Sequence, residues 1–166
     1  MSTHYGFSFS KDRCVQCYGC EAACKSWRGA ESGVRWRRVS NMWHGRYPEV
    51  KNDSASVSCM HCVDPECAKT CPVAAITKRQ EDGIVVVDRD KCIGCKTCLK
   101  SCPFGAPQFG ADGKMQKCDM CLSRMDLASE APPCAETCPT KALMLGSMDE
   151  KEKIRREEDM RKLLAG

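Results

Sequence analysis

The stretch 92-CIGCKTCLKSCPFGAP-107 carries four cysteines within eleven residues, and a proline follows the last of them. Its spacing is C-x2-C-x2-C-x3-C-P. Three thiols at three-residue steps can converge from one tight loop, and the fourth lies one helical turn further along the chain. The proline then ends that turn, because it lacks the backbone donor that a continuing helix needs. The stretch therefore predicts a thiolate site built from a loop and a short turn.

Similar cysteine clusters occur four times in the 166 residues and account for all sixteen cysteines. Every group opens with C-x2-C and closes with C-x3-C, and the last three groups are followed by proline. The middle gap is two residues in groups one and three, four in group two and twelve in group four. The groups are Cys14, Cys17, Cys20 and Cys24; Cys59, Cys62, Cys67 and Cys71; Cys92, Cys95, Cys98 and Cys102; and Cys118, Cys121, Cys134 and Cys138.

Iron–sulfur clusters explain this repeat better than disulfides or zinc. The C-x2-C-x2-C-x3-C-P run is the ligand pattern of bacterial [4Fe–4S] proteins, in which the fourth cysteine binds the other cluster of a pair. Disulfide frameworks are typical of secreted proteins, and zinc sites usually pair two C-x2-C knuckles across a spacer. We expect [4Fe–4S] clusters, with a disulfide framework and zinc as the weaker alternatives.

Charge and hydropathy narrow the function further. The formal net charge is +4 with neutral thiols. Sixteen thiolates add sixteen negative charges, and four cluster cores of charge +2 add eight positive charges. The net charge of the cluster-loaded chain is therefore near −4, so the sequence gives no reason to expect nucleic-acid binding.

No apolar run approaches the ~18 residues of a membrane helix. The N-terminus shows no signal-peptide pattern, so we expect a cytoplasmic chain or one exported with a signal-bearing partner, with any membrane association made through its partners.

The segments between the cysteine groups predict an α+β fold of short β-ribbons and short helices. Turn residues separate brief apolar runs in two places, which indicates hairpins. The predicted pairs are Ile76–Lys78 with Ile84–Val87, and Gln108–Phe109 with Met115–Lys117. Segments 5–14 and 139–145 each resemble one strand of a further pair.

The alternation of cysteine groups and short strands predicts two ferredoxin-like units, one nested within the other. Residues 1–24 with 103–146 form the unit of groups one and four, and residues 59–102 form the nested unit of groups two and three. Residues 25–58 are a Trp- and Arg-rich insertion in which 33-GVRWRRV-39 favours a strand. We expect this insertion to be a β-ribbon over the clusters, with partner docking as the alternative.

Residues 147–166 form a charged C-terminal tail, of which 149–164 is predicted to be helical. Acidic residues stand four positions before basic ones on this helix, an arrangement that stabilises helices. The pairs are Asp149–Lys153, Glu152–Arg156, Glu157–Arg161 and Glu158–Lys162. We expect a solvated or partner-tethering helix.

The ordered set of four motifs resembles the four-cluster electron-transfer subunit of molybdopterin oxidoreductases of the dimethyl-sulfoxide-reductase type. The phrases GVRWRRV, CMHCVDPECAKTCP and CDMCLSRM are also similar to that family, and the resemblance covers about residues 5–146. It implies four [4Fe–4S] clusters with crossed ligation. The implied sets are Cys14, Cys17, Cys20 with Cys138; Cys118, Cys121, Cys134 with Cys24; Cys92, Cys95, Cys98 with Cys71; and Cys59, Cys62, Cys67 with Cys102.

The resemblance implies a role in electron transfer during anaerobic respiration, with no catalytic residues in this chain. The implied partners are a large Mo- or W-pterin catalytic subunit and a membrane quinone subunit or another redox module. Two related functions stay open, a free-standing polyferredoxin carrier and the iron–sulfur subunit of a formate dehydrogenase or hydrogenase-type complex. A third is a non-redox metal scaffold. We expect basic residues near the groups, including Lys117, to be solvated, and His61 to be an ordinary loop residue rather than a donor to a cluster sulfur.

Overall fold

The computed structural model describes residues 4–122, 124–126 and 129–165. The elements along the chain are β1 (Tyr5–Phe9), α1 (Gly19–Arg28), β2 (Arg38–His44), β3 (Lys51–Val57), α2 (Glu66–Lys69), β4 (Ile76–Lys78), β5 (Val85–Val87), α3 (Thr97–Ser101), β6 (Gln108–Phe109), β7 (Met115–Gln116), α4 (Pro133–Glu136), β8 (Leu143–Ser147) and α5 (Glu150–Ala165). This is a small α+β fold, as the cysteine spacing and short apolar runs predict. In the ranges just given, no helix is long and apolar enough to span a membrane.

The strands pair into four separate antiparallel ribbons: β1 with β8, β2 with β3, β4 with β5, and β6 with β7. The predicted strand Ile76–Lys78 is confirmed, and its partner begins one residue later than predicted, at Val85. The β6–β7 ribbon is confirmed to within one residue. Tyr5 lies opposite Ser147 in the β1–β8 ribbon, which joins the beginning of the described chain to its last strand.

Thiols form part of the apolar core. In one buried cluster, Phe7, Ile84 and Leu143 pack among cysteines from groups one, two and four. In another, Ile76 and Met115 pack around Cys98 and neighbouring thiols. Because the ribbons are only two strands wide and marginal alone, each ribbon depends on the cysteine loops that it covers.

The predicted strand at 33–39 is wrong over most of its length. The strand β2 begins only at Arg38 and continues to His44. It pairs along its length with β3 and so forms the expected ribbon. The buried positions are Val34, Arg37 and Val39, and this spacing breaks the two-residue alternation of a strand. The chain turns irregularly here because the Arg37 side chain points into the interior.

The helix α5 packs on the body of the protein, which corrects the expectation of a solvated tail. A reciprocal capping box starts it: Asp149 Oδ1 accepts from the Glu152 amide at 2.8 Å, and Glu152 Oε2 accepts from the Asp149 amide at 2.9 Å. A carboxylate at each of these positions satisfies an otherwise unpaired helix donor. Glu157 then accepts a hydrogen bond from the Val63 amide at 3.0 Å.

The inner face of α5 also explains which predicted ion pairs form. The Arg156 guanidinium donates to the Phe7 carbonyl at 3.0 Å and to the Met60 carbonyl, so it turns away from Glu152. Lys153 is buried as well. Of the predicted pairs, Glu157–Arg161 is present at 3.8 Å.

Replacing Met160 by Ala should destabilise the protein by about 2–5 kcal/mol, because the buried side chain would leave a cavity. Met160 is 6 % exposed and packs beside Ala55, Val57 and Phe104. Ile154 on the same helix is 43 % exposed, and Ile154→Ala should change stability by less than about 1 kcal/mol. Anaerobic denaturant titration of the loaded chain checks both variants. Equal losses would contradict the docking of α5.

Candidate iron–sulfur sites

The loops that carry the cysteines share an unusual backbone turn. In all four groups the residue immediately before the second cysteine has a positive φ: Gln16 (56°), His61 (48°), Gly94 (69°) and Met120 (56°). Three of these residues are not glycine, and each of these three turns carries a steric cost of about 1–2 kcal/mol. Such strain persists where the surrounding structure demands it, and it is enriched at functional sites. In each group this left-handed turn reverses the loop, so that the first two thiols of the group converge.

A second left-handed turn follows the fourth cysteine of groups two, three and four. It occurs at the third residue after the cysteine, in Ala74, Gly105 and Lys141, with φ of 48°, 57° and 52°. The turn folds the backbone over the thiol that it follows. After group two, for example, the Ala75 amide donates to Cys71 Sγ at 3.3 Å. Hydrogen bonds from amides to sulfur favour the thiolate form that a metal binds.

The short helices position the remaining thiols. Cys20 lies at the start of α1, Cys67 in α2, Cys98 in α3 and Cys134 in α4. In each group it is the third cysteine that begins or enters the helix, and the fourth follows about one turn later. All sixteen thiols are free of disulfide bonds.

Two cavities each gather three thiols of one group and one of another. Cys14, Cys17, Cys20 and Cys138 line one cavity. Cys71, Cys92, Cys95 and Cys98 line the second. The structure therefore places together two of the four crossed sets that the resemblance implies.

The thiols of group two interact electrostatically with Cys102. The pKa of Cys67 is raised to about 11, first by burial and then by Cys59, with a smaller increase from Cys102. Burial likewise raises the pKa of Cys62, with contributions from Glu157, Cys59 and Cys102. These interactions favour the third crossed set.

The thiols of group four face Cys24. Burial raises the pKa of Cys24 to about 12, and its neighbours Cys134 and Cys121 add to the shift. Burial also raises the pKa of Cys118, with Cys24 and Cys134 contributing. Cys24 thus interacts with group four, as the fourth crossed set implies, while the assignment of each set to one cluster stays a prediction.

The donor set fits [4Fe–4S] cores. Four soft thiolates per set are the usual ligands of such cores. Among the described residues, no three His, Cys, Asp or Glu side chains lie close enough to share a single metal ion.

Buried cations lie among the thiols, and sequence reasoning missed most of them. Lys117, expected to be solvated, is buried and donates to the carbonyls of Val85 and Cys118. Arg37 is only 2 % exposed. A patterned stretch such as GVRWRRV does not reveal which arginine points inward, because all three arginines flank apolar residues.

His61 lies in a loop, as expected, but it is fully buried. Its Nδ1 accepts a hydrogen bond from the Val85 amide at 3.0 Å, so the proton of the neutral ring is on Nε2. Within the described residues, Nε2 has no hydrogen-bond partner. Burial and then the charge of Lys117 hold the pKa of His61 well below its usual range, and the ring is therefore neutral at pH 7.

Comparison with known proteins identifies the family of this chain. The profile of a family described as a 4Fe-4S dicluster domain matches residues 50–148, which include the last three cysteine groups. The protein belongs to this 4Fe-4S dicluster domain family. A probable anaerobic dimethyl sulfoxide reductase chain of Escherichia coli is 43 % identical over 162 residues, covering 90 % of this chain and 77 % of the relative.

Two further relatives of this dicluster protein have related names. A second Escherichia coli protein, a chain of the anaerobic dimethyl sulfoxide reductase, is 42 % identical over 165 residues, covering 92 % of this chain and 78 % of the relative. A formate dehydrogenase iron–sulfur subunit of Wolinella succinogenes is 38 % identical over 178 residues, covering 94 % and 88 %. These matches confirm the family resemblance, the [4Fe–4S] cofactor and the iron–sulfur electron-transfer role of the dicluster protein.

Replacing Gly94 by Ala should cost the protein one cluster. The φ of Gly94 is 69°, and an added Cβ would lie 2.5 Å from the Gly113 carbonyl oxygen, so the Cys92–Cys95 loop must shift. Gly113 is the matched control, because its φ is 68° and an added Cβ meets nothing within 4 Å. Iron and sulfide analysis should show about a quarter of the iron lost in Gly94→Ala.

The Gly113→Ala variant should keep its full iron content, since it adds only the left-handed strain of about 1 kcal/mol. If both variants lose the same amount of iron, backbone strain rather than the contact at Gly94 controls the loop.

Proposed function

We propose that the chain relays electrons through four [4Fe–4S] clusters as the iron–sulfur subunit of an oxidoreductase complex. The observation that carries this proposal is that thiols of different groups line two shared cavities. The interactions of Cys102 with group two and of Cys24 with group four support it. A crossed set ties two distant loops to one cluster and so fixes the spacing of neighbouring clusters. When bound, each cluster takes up and releases one electron, and the chain itself supplies no catalytic residue.

The proposed ligand sets follow the convergence described above. They are Cys14, Cys17, Cys20 and Cys138 for the first cluster; Cys24, Cys118, Cys121 and Cys134 for the second; Cys59, Cys62, Cys67 and Cys102 for the third; and Cys71, Cys92, Cys95 and Cys98 for the fourth.

Contacts between the sets support a single row of clusters in that order. Cys20 of the first set interacts with Cys134 of the second. The second and third sets share one apolar core, where Cys59 packs with the thiols of group four. Cys67 of the third set interacts with Cys98 of the fourth.

The two ends of this row reach the surface. Cys17 in the first set and Cys95 in the fourth are exposed, whereas every thiol of the second set is buried. Electrons would therefore enter at one end and leave at the other. The exposed end thiols also distinguish the terminal clusters from the two that serve as internal steps.

The chain is best divided into two pseudo-repeat units. Residues 59–102 would form the inner unit, and residues 1–24 with 103–146 would form the outer one. The β1–β8 ribbon supports this division, because its two strands flank the inner unit in the sequence. The insertion 25–58 and the tail 147–166 complete the chain.

The proposed partners are a Mo- or W-pterin catalytic subunit and a membrane-anchor or other redox subunit. The names of the relatives support the first, since they are chains of dimethyl sulfoxide reductase and formate dehydrogenase. The β2–β3 ribbon ends in a tip where Trp43 is 69 % and Tyr47 is 93 % exposed. Exposed aromatic side chains of this kind are frequent anchors of protein interfaces.

The match to the formate dehydrogenase subunit favours a second catalytic partner class. Its coverage of 88 % of that relative is higher than for either reductase chain quoted above. A formate-oxidising complex would send electrons in the opposite sense through the same row of clusters. We propose the reductase class first because the identity to those chains is higher.

Affinity purification of the tagged chain from anaerobically grown cells tests the assignment to a complex. We expect a large pterin-containing chain to co-purify, and about sixteen iron and sixteen sulfide per chain. A stable, cluster-loaded monomer that binds no pterin protein would instead identify a free-standing carrier. Zinc in place of iron and sulfide would contradict any redox role.

Reciprocal cysteine variants test the crossed sets. Cys102→Ala should abolish the same electron paramagnetic resonance signal as Cys67→Ala, because both thiols belong to the third cluster. Cys71→Ala should abolish the same signal as Cys92→Ala. If Cys102→Ala instead matched Cys92→Ala, each group would bind its own cluster and the crossed arrangement would be wrong.

A further inference from the structure

The Arg37 guanidinium is buried beside thiols and only partly satisfied by hydrogen bonds. One face of it lies over the Phe7 ring, with the guanidinium carbon 4.3 Å from the ring centroid. Its Nη1 donates to Ser56 Oγ at 3.0 Å. Nε and Nη2 have no hydrogen-bond partner in the described part of the chain. A buried cation with free donors is costly unless an anion compensates it.

The neighbours of Arg37 show which anions these are. The Phe7 ring beneath Arg37 packs with Cys24, Cys118 and Cys134 in one buried core. The strongest electrostatic interactions of Arg37 are with these three thiols and Cys20. Cys20 belongs to the proposed first cluster, whereas the other three belong to the second. No carboxylate is among these leading partners. Arg37 therefore lies beside both proposed clusters.

Ser56 links Arg37 to the first cluster alone. Its Oγ lies 3.3 Å from Cys20 Sγ. Because Arg37 Nη1 occupies a lone pair of the hydroxyl, the hydroxyl proton is available for the sulfur. The first cluster thus receives both the field of Arg37 and a hydrogen bond that Arg37 orients.

We propose that Arg37 is the shared counter-ion of the first and second clusters and raises the reduction potentials of both. The proposal rests on the proposed function, because it uses those ligand sets. A reduced cluster carries one more negative charge than an oxidised one, so a fixed nearby cation favours reduction. The effect is large in a buried site, where charges are weakly screened. The guanidinium keeps its charge at every working pH.

The other half of the row has its own buried cation. Arg156 interacts with Cys62 and Cys59 of the third cluster, and it also faces Glu157, whose carboxylate offsets part of its charge. Arg37 has no such carboxylate among its leading partners. The structure therefore assigns Arg37 the stronger influence on the first two clusters.

Redox titration of the full chain, followed by electron paramagnetic resonance, tests this role. Arg37→Gln should lower the potentials of two of the four clusters, with at least a tenfold change in the ratio of reduced to oxidised cluster at fixed potential. For a one-electron couple this is a shift of about 59 mV. Arg37→Lys keeps the charge and should shift the same two clusters by less. Ser56→Ala should lower the potential of one cluster only.

Arg35→Gln is the matched control. It removes the same charge two residues away, but the Arg35 side chain is 51 % exposed and pairs with Glu21 at 3.2 Å. Its charge is screened by solvent, so no cluster potential should change. Equal shifts from Arg35→Gln and Arg37→Gln would overturn the proposal, as would an Arg37→Gln protein with four intact clusters at unchanged potentials.

If Arg37→Gln fails to retain its clusters, the Arg37→Lys and Ser56→Ala variants still test the proposal. Unchanged cluster potentials in both of these variants would overturn it. Failure of the proposed function itself is distinguishable, because it appears in the unmodified chain, either as fewer than four cluster signals or as the absence of a co-purifying pterin protein.

Discussion

Ionised thiols repel one another, and the rest of this structure depends on overcoming that repulsion. Burial raises the pKa of Cys24 to about 12 and those of Cys98 and Cys121 to about 11, so a chain without clusters keeps these thiols protonated at pH 7. Iron–sulfur cores supply the positive charge that allows thiolates to sit in the same places. Loading must release protons, and the folding of the loops is coupled to it, as it is for other metal-dependent folds.

Buried cations complete the charge balance. The cores alone leave each site with excess negative charge, since four thiolates surround a core of charge +2 in its oxidised form. Lys117, just after β7, and Arg156 in α5 reach the same interior, where both donate hydrogen bonds to backbone carbonyls. A fold with so few apolar side chains therefore uses charge pairing where larger proteins use apolar burial.

Cysteine spacing and turn residues were sufficient to predict the ribbons, the α+β class and the four thiol groups. The spacing is strict because each loop must present thiols to one core, and so it is visible in the sequence. Packing of long basic side chains is not visible in this way. Arg35 is exposed and Arg37 is buried, although they stand two residues apart in the same motif. The docking of α5 was missed for the same reason, since Arg156 and Lys153 read as solvent-facing charges.

The left-handed turns before the second cysteine were missed because glycine marks only one of the four. Gln16, His61 and Met120 adopt the same conformation without glycine's freedom, so the geometry of the site overrides local preference.

The β1–β8 ribbon has a consequence for the order in which the protein can be completed during synthesis. Cys14 leaves the ribosome long before Cys138, and β1 must wait for its partner β8 at Leu143–Ser147. The loops of groups two and three, by contrast, emerge close together. These two loops can thus meet while group one is still waiting, with its thiols open to oxidation, for the strand that pairs with β1.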